Sequence, residues 1–207
     1  MEGTSRVAQA QAQRFLDAAG IISALFLPND EILEEVESFQ LKVGWGPNSS
    51  VVGLHLRGGD SCTQKETFRT RRVCDEIDAF IPDLRRIHEM YGIMNVFVAT
   101  DELDKVIAAA RRFPEFNWWF SYENARYAGD GRRVEGREGQ AYVRDVVLMS
   151  KADVLLGKFT SNLERLALEL RAGRDGILPA FVSHDAAWCF GVGSVQLGPF
   201  NGTTFKC

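Results

Sequence analysis

Short apolar runs of strand length alternate with longer segments of helical periodicity along most of the chain. From residue 51 onward, the apolar runs predict five strands, at residues 51–56, 95–100, 116–120, 152–156 and 176–182. The segments between them repeat apolar residues at helical spacing and predict helices at residues 75–90, 103–113, 139–151 and 161–172. This alternation predicts an α/β fold, a Rossmann-like parallel sheet with right-handed crossovers and helices on both faces.

Two more helices are predicted before the first strand, at residues 7–26 and 31–43. The sequence Pro-Asn-Asp separates them, and either polar residue can cap the second helix. Pro82 lies inside the predicted helix at residues 75–90, so that helix is expected to be kinked or to begin late.

The composition suits one such domain and argues against several other classes. The chain has 207 residues, of which 45% are hydrophobic, so it can form a sizeable core. The net charge of −4 argues against a general nucleic-acid or membrane-surface binder. We predict three segments: a helical segment at residues 1–50 that ends a preceding domain, a Rossmann-like domain at 51–190, and an irregular tail at 191–207.

The cysteines and two glycosylation sequons bear on the cellular compartment. The four cysteines lack the spacing of a zinc site, and the favoured pair is Cys62 with Cys74, with Cys189 and Cys207 bracketing the tail. Sequons begin at Asn48 and Asn201. An even cysteine count with sequons favours a disulfide-bonded secretory glycoprotein, whereas free thiols and unused sequons are equally open.

The first apolar run, at residues 21–27, is too short to span a bilayer, and no signal-peptide pattern precedes it. We therefore expect no membrane segment in this chain. The expected location is the Golgi or the secretory pathway if the chain is part of a longer protein, and the cytoplasm if it is complete as given.

The first predicted strand ends in His55, Leu56, Arg57, Gly58, Gly59 and Asp60. Ligands of open parallel sheets bind just beyond the carboxyl ends of the strands. The guanidinium of Arg57 can hold two phosphate oxygens at once, and the glycines let the main chain approach a ligand. The stretch therefore predicts a phosphate-binding turn. The structural alternative is a surface Arg57 in a glycine turn, with His55 buried in the core.

Two acidic residues are further candidates. Asp101 follows the second predicted strand, where helix capping would also explain it. Asp145 lies within an otherwise apolar helix and needs a partner if it is buried. Its carboxylate could accept the adjacent N1–H and N2–H donors of a guanine ring. The alternatives for Asp145 are a pair with Arg144 or Lys151 and a solvent-facing position.

Thr160 and Ser161 lie between the fourth predicted strand and the next helix. Hydroxyl groups and backbone N–H groups at a helix N-terminus form an anion site, although simple N-capping explains the segment equally well. The chain contains no G-x-G-x-x-G, Walker A or Asp-x-Asp motif. If the chain is an enzyme that uses a nucleotide sugar, it would therefore stabilise the leaving diphosphate with Arg and helix N-termini, and no metal site is expected.

These motifs resemble, in order, those of the α1,6-fucosyltransferase family, which includes core N-glycan and bacterial nodulation enzymes. Residues 55–60 resemble its His-x-Arg-Arg-x-Asp motif, and residues 98–102 resemble its Ala-Thr-Asp-Asp segment. Residues 145–165 are similar to its Asp…Leu-Ser-x-Ala-Asp…Phe-Ser-Ser…Arg block. Residues 183–191 resemble its Ser-x-Asp-Asp…Phe-Gly segment.

The resemblance implies the C-terminal, donor-binding half of a GT-B glycosyltransferase. Such an enzyme transfers fucose from GDP-fucose to a hydroxyl of a glycan or glycoprotein, inverts the anomeric carbon, and needs no metal or other cofactor. Together with the residue patterns above, it predicts that GDP-fucose is bound by His55, Arg57, Gly58, Asp101, Asp145, Thr160 and Ser161.

Within that set, the resemblance implies that Arg57 holds the β-phosphate and stabilises departing GDP. His55 and Asp145 would bind guanine, Ser161 would bind the diphosphate, and Asp101 would support the pocket. Glu66 falls near the family's catalytic Glu and is the second catalytic candidate.

Gly58 stands where the family has a second Arg, so one donor contact is lost or supplied elsewhere. Two other functions therefore stay open. One is a truncated or diverged non-catalytic module that binds a nucleotide or a glycan. The other is a protein O-fucosyltransferase, which shares the His-x-Arg motif.

Overall fold

The computed structural model describes residues 2–56, 75–121, 137–159, 161–184, 196–200 and 203–206. The α-helices among them are α1 (Glu2–Leu25), α2 (Asp30–Val43), α3 (Ile81–Tyr91), α4 (Leu103–Arg112), α5 (Arg137–Lys151) and α6 (Asn162–Asp175). The strands are β1 (Val51–Leu56), β2 (Asn95–Thr100), β3 (Asn117–Phe120), β4 (Val154–Gly157), β5 (Ala180–Ser183), β6 (Gln196–Phe200) and β7 (Thr203–Lys206).

Five strands form one parallel sheet in the order β3-β2-β1-β4-β5. The chain first builds outward from β1 to β2 and β3, and it then returns to place β4 on the other side of β1. The strand order therefore reverses between β1 and β4, the point at which open parallel sheets form a crevice. The predicted α/β fold with a Rossmann-like parallel sheet is confirmed.

Alternate residues of β1 face opposite sides of the sheet, as the pleat of a strand requires. Val52, Leu54 and Leu56 pack with the residues of α3 and α4 in one apolar cluster. Val51 packs in a second cluster with residues of α1, α2, α5 and α6. Gly53 faces this second side, where an added Cβ would lie 2.9 Å from the Cβ of Ala152. The helices thus cover both faces, as predicted.

Helices α1 and α2 contribute to the second cluster through Phe15, Ala19, Ile32 and Val36. Helix α1 crosses α6 at very short range, because an added Cβ on Gly173 would lie 2.2 Å from the carbonyl oxygen of Ala19. Helices α1 and α2 therefore pack on the same face of the sheet as α5 and α6. Their assignment to the end of a preceding domain stays a prediction.

Local sequence signals set the ends of the helices. Asn29 caps α2, since its Oδ1 accepts a hydrogen bond from the backbone N–H of Ile32 at 3.0 Å. Gly44 ends the same helix in the left-handed conformation, with a φ of 75°. Pro82 lies in the first turn of α3, which follows a 3-10 turn at Ile77–Phe80. This helix therefore begins late, as Pro82 indicated.

The end of the chain differs from the irregular tail predicted at residues 191–207. Strands β6 and β7 pair as an antiparallel hairpin, with Phe200 opposite Thr203. Only Asn201 and Gly202 separate the strands in sequence, and Asn-Gly is a dipeptide typical of two-residue hairpin connections.

Within the part of the chain that the structure describes, no helix has the length and apolar composition needed to cross a membrane.

Candidate functional site

The crevice between β1 and β4 brings together two of the predicted site residues. His55 is the penultimate residue of β1, and Ser161 precedes α6 in the turn that follows β4. The Oγ of Ser161 lies 3.2 Å from Nδ1 of His55, and both side chains are buried. Because β1 and β4 are neighbours with the same direction, their carboxyl ends converge and place these side chains in contact.

Glu164 joins this pair from the first turn of α6. Its side chain is only 2% exposed, and its Oε1 lies 3.4 Å from Nδ1 of His55. The same oxygen accepts a hydrogen bond from the backbone N–H of Lys158 at 2.6 Å. The carboxylate occupies space above the end of β4, since an added Cβ on Gly157 would lie 1.8 Å from Oε1. Glycine at this position therefore leaves room for the buried carboxylate.

Simple N-capping by the Ser161 hydroxyl is not observed. Ser161 occupies the N-cap position with extended backbone angles, φ −88° and ψ 130°, but its side chain makes no capping hydrogen bond. Its hydroxyl contacts His55 instead. The N-terminus of α6 carries the partial positive charge of the helix dipole and adjoins this contact. The arrangement combines a hydroxyl, an imidazole and a helix N-terminus at one edge of the sheet.

Neighbouring elements hold the turn between β4 and α6. Lys158 pairs with Asp75, with its Nζ 2.6 Å from Oδ2. The backbone N–H of Phe159 donates to the Oγ of Ser183 at 3.3 Å, at the end of β5. The backbone N–H of His184 donates to the carbonyl of Gly157 at 2.8 Å. These bonds fix the main chain that leads from β4 to Ser161.

The ring of His184 makes further contacts across the edge of the sheet. It stacks on Phe80 with ring centroids 4.3 Å apart, and its Nε2 contacts a carboxylate oxygen of Asp83. The chain after β5 is thereby attached to the start of α3.

Asp145 belongs to a second buried polar group. Its side chain is 6% exposed, and its Oδ1 lies 3.8 Å from Nε of Arg144. Arg144 also donates to the Oγ of Ser121 at 2.7 Å and lies 3.5 Å from Glu35 on α2. The pairing of Asp145 with Arg144 that the sequence left open is thus observed. Binding of guanine by Asp145 stays a prediction.

A groove of about 600 Å³ lies beside Arg144, between α2 and the edge strand β3. Its walls include Glu31, Glu35, Trp119 and Ser121. Three acidic side chains of α2 line it, so this groove is chemically unlike the contact between His55 and Ser161. Among the described residues, none that was predicted to bind phosphate lines this groove.

A short polar turn connects the carboxyl end of β2 to the start of α4. The Oγ1 of Thr100 accepts a hydrogen bond from the backbone N–H of Glu102 at 2.9 Å, and Asp101 between them is half-buried. Glu102 pairs with Lys105 at 2.9 Å, and its hydrogen bond raises the pKa of that ammonium group. The N-cap residue of α4 is Glu102, and its side chain makes no capping hydrogen bond. The bond of Thr100 closes a turn before the helix and does not cap it, and a supporting role for Asp101 stays a prediction.

Four predicted site residues, Arg57, Gly58, Glu66 and Thr160, lie outside the described residues, as do all four cysteines. Their roles and the favoured cysteine pairs stay predictions. Across the described residues, no group of three or more His, Cys, Asp or Glu side chains is placed to hold a metal ion.

The sequence interpretation missed Glu164. The spacing of Ser161 and Glu164 was the available signal, because Ser-x-x-Glu at a helix start is the sequence of a capping box. In that motif the two side chains bond the backbone of the first turn. Here they reach His55 and Lys158 instead.

The fold and the crevice at the carboxyl ends of β1 and β4 define a Rossmann-like α/β domain. Comparison with known families is more specific: residues 16–185 match the model of α-(1,6)-fucosyltransferase N- and catalytic domains. The chain belongs to the α-(1,6)-fucosyltransferase family.

One curated relative is an α-(1,6)-fucosyltransferase of Drosophila melanogaster, which is 24% identical over 152 residues. That alignment covers 70% of this chain and 23% of the fly protein. Crystal structures of POFUT1 share the fold. The complex with GDP has a TM-score of 0.52 at 15% identity and covers 79% of this chain and 50% of POFUT1.

The POFUT1 complex with GDP-fucose has a TM-score of 0.51 at 16% identity, over 79% of this chain and 48% of POFUT1. This chain therefore spans about half of POFUT1 and less than a quarter of the fly relative.

Proposed function

We propose that this chain is the donor-binding part of a fucosyltransferase that transfers fucose from GDP-fucose to a glycan hydroxyl. The observation that carries the proposal is the contact of His55 with Ser161, 3.2 Å apart at the crevice between β1 and β4. Membership of the α-(1,6)-fucosyltransferase family supports the reaction. The crystal structure of POFUT1, which shares the fold, contains GDP-fucose and supports the donor.

In the proposed reaction, the acceptor oxygen attacks C1 of fucose from the side opposite GDP. The bond between C1 and the β-phosphate oxygen breaks, and its electron pair leaves with GDP, so the anomeric carbon is inverted. The hydroxyl proton passes to a general base, for which Glu66 is the candidate from the sequence. Arg57 and the N-terminus of α6 stabilise the negative charge that develops on the diphosphate, the role that a metal ion plays in other transferases.

His55 and Asp145 are the proposed guanine contacts, and Ser161 and Thr160 are the proposed diphosphate contacts. Asp101 supports the pocket at the end of β2. The buried position of His55 favours this assignment, because a buried ring that is held by Ser161 offers one defined orientation to a ligand.

A second candidate function is a non-catalytic module that binds a nucleotide or a glycan. One observation favours it: Gly58 stands where the family has a second Arg, so a donor contact of the family is absent at this position. A secretory location is proposed for either function, on the basis of the sequons and the even cysteine count.

The first test is whether GDP stabilises the chain against heat. At a GDP concentration 100 times the Kd, we expect about 2.7 kcal/mol of stabilisation, which raises Tm by roughly 5–10 °C for a chain of this size. Arg57→Ala removes the shift, because the fixed charge opposite the diphosphate is lost. The matched control is Arg86→Ala, which removes an exposed arginine of α3 and leaves the shift unchanged.

A folded chain that shows no shift at millimolar GDP contradicts the proposed donor site. If GDP does bind, release of GDP from GDP-fucose in the presence of an acceptor distinguishes the transferase from the binding module. An acceptor screen of glycans against small folded protein domains then distinguishes glycan from protein fucosylation.

A further inference from the structure

The start of α6 uses its capping residues for a purpose other than capping. A helix that begins with Ser-x-x-Glu ordinarily bonds both side chains to its own first turn, and the missing N-cap bond is unfavourable for the helix. Ser161 makes no such bond, and Glu164 reaches back to Lys158, which lies outside the helix. Both side chains instead converge on Nδ1 of His55, at 3.2 Å and 3.4 Å.

A carboxylate as buried as that of Glu164 requires compensating partners, because removing its charge from water is unfavourable. The backbone N–H of Lys158 supplies one, at 2.6 Å. The N-terminal turn of α6 supplies the favourable end of a helix dipole. Nδ1 of His55 is the third neighbour, and it compensates the carboxylate when it carries a proton. Gly157 leaves the space for this position of the carboxylate, since an added Cβ would overlap it.

We propose that Glu164 is a positioning residue of the crevice: it holds the proton of His55 on Nδ1 and, through Lys158, fixes the turn between β4 and α6. The ligand in this inference rests on the proposed function, but the orientation of His55 does not. With Nδ1 protonated, the neutral ring keeps Nε2 as its hydrogen-bond acceptor. His55 therefore presents an acceptor to an N–H or O–H donor of the bound nucleotide, such as a ring N–H of the base.

The same carboxylate couples two parts of the site. One oxygen touches both the imidazole of β1 and the main chain after β4. A change at Glu164 therefore alters the ring of His55 and the backbone in front of α6 together. Ser161 alone cannot do this, because its hydroxyl can either donate to or accept from the ring and does not select a tautomer.

The test of the orientation uses the full chain without ligand, labelled with ¹⁵N in its three histidines. Two-bond ¹H–¹⁵N spectra of the neutral rings identify the protonated nitrogen, and His55→Gln assigns the signals. We expect the Nδ1–H form for His55, a switch to the Nε2–H form in Glu164→Met, and a mixture in Glu164→Gln. The matched control Glu169→Gln changes a second glutamate of α6, which is only partly buried, and leaves the tautomer unchanged.

An Nε2–H form of His55 in the unsubstituted chain overturns the inference without need of any variant. A tautomer that is the same in the unsubstituted chain and in folded Glu164→Met also overturns it. If Glu164→Met does not fold, Glu164→Gln provides the same comparison, with a smaller shift toward Nε2–H.

The ligand part is tested by titrating GDP into the same proteins. We expect Glu164→Met to weaken GDP binding about tenfold or more, because Nε2–H then faces a donor of the nucleotide and leaves it unpaired, and Glu169→Gln to leave binding unchanged. A switched tautomer with unchanged GDP affinity overturns the positioning role. If the unsubstituted chain has the Nδ1–H form but binds no GDP, the proposed donor site fails while the orientation of His55 by Glu164 stands.

Discussion

The two faces of the central sheet differ in what they bury. The face covered by α3 and α4 buries an apolar cluster that includes Leu54, Phe80 and Leu84. The other face also has an apolar cluster, but it holds all the buried polar or charged residues among the described part of the chain. These are His55, Arg144, Asp145, Ser150, Ser161 and Glu164.

One strand serves both faces. Leu54 and Leu56 of β1 point to the apolar side, whereas His55 between them contacts Ser161 and Glu164. The apolar face gains stability in proportion to the area it removes from water. On the other face, polar groups must be paired before they can be buried at all. The comparison indicates that the first face mainly stabilises the fold, and that the second face also holds the polar residues of the candidate site.

The largest expected effect comes from the apolar face. Leu84→Ala removes a side chain that is 1% exposed in α3, and the cavity lowers the free energy of unfolding by about 2–5 kcal/mol. Urea unfolding measures this loss. The control Leu33→Ala, at a residue of α2 that is 40% exposed, has a much smaller effect. Below the unfolding transition, GDP binds Leu84→Ala as it binds the unsubstituted chain. A loss of GDP binding there would show that the two faces are not separable.

A smaller loss of stability is expected at two N-cap positions, and GDP binding distinguishes them. Asn29→Ala removes a true cap of α2, and Ser161→Ala removes the contact with His55; each lowers the free energy of unfolding by about 1 kcal/mol. Only Ser161→Ala weakens GDP binding, by about five- to tenfold. Urea unfolding and calorimetric titration measure the two quantities. Equal GDP affinities in both variants would place the nucleotide away from the start of α6.

The smallest effect concerns Glu169 on α6, where burial raises the pKa of the carboxyl group and Arg165 partly opposes the shift. The folded chain then binds the proton more tightly than the unfolded chain. The stability that this proton contributes is therefore lost as the pH rises from about 4.5 through the raised pKa. Glu169→Gln should be more stable than the unsubstituted chain at pH 7, by about 0.5 kcal/mol or less, and equal to it at acidic pH. Urea midpoints at pH 4 and pH 7 check this, and an opposite pH trend contradicts it.

Periodicity and the carboxyl-end rule account for what the sequence predicted correctly. Apolar runs indicated the five strands of the sheet, and Pro82 indicated the late start of α3. His55 and Ser161 were expected at carboxyl ends of strands, and they meet at one edge. The hairpin of β6 and β7 was missed although Asn-Gly signalled it, because a glycine-rich segment is typical of irregular structure.

Glu164 could not be assigned from the sequence for a physical reason. An acidic residue in the first turn of a helix is ordinarily solvent-exposed and favourable there. Its burial depends on β4 lying next to β1, which brings residues more than 100 positions apart into contact. Arg144 presents the same difficulty, since its partner Glu35 lies 109 residues away. Local patterns contain no information on such pairs.

The close approach of Gly173 to Ala19 has a consequence for the order in which the protein is completed on the ribosome. Helix α1 emerges first, but the helix that covers it is made roughly 150 residues later, which takes about 8–30 s at ordinary rates of synthesis. During that interval the apolar side of α1, with Phe15 and Ala19, has no partner from α6. Helix α1 is thus made early but completes its packing late, because its partner α6 lies near the other end of the chain.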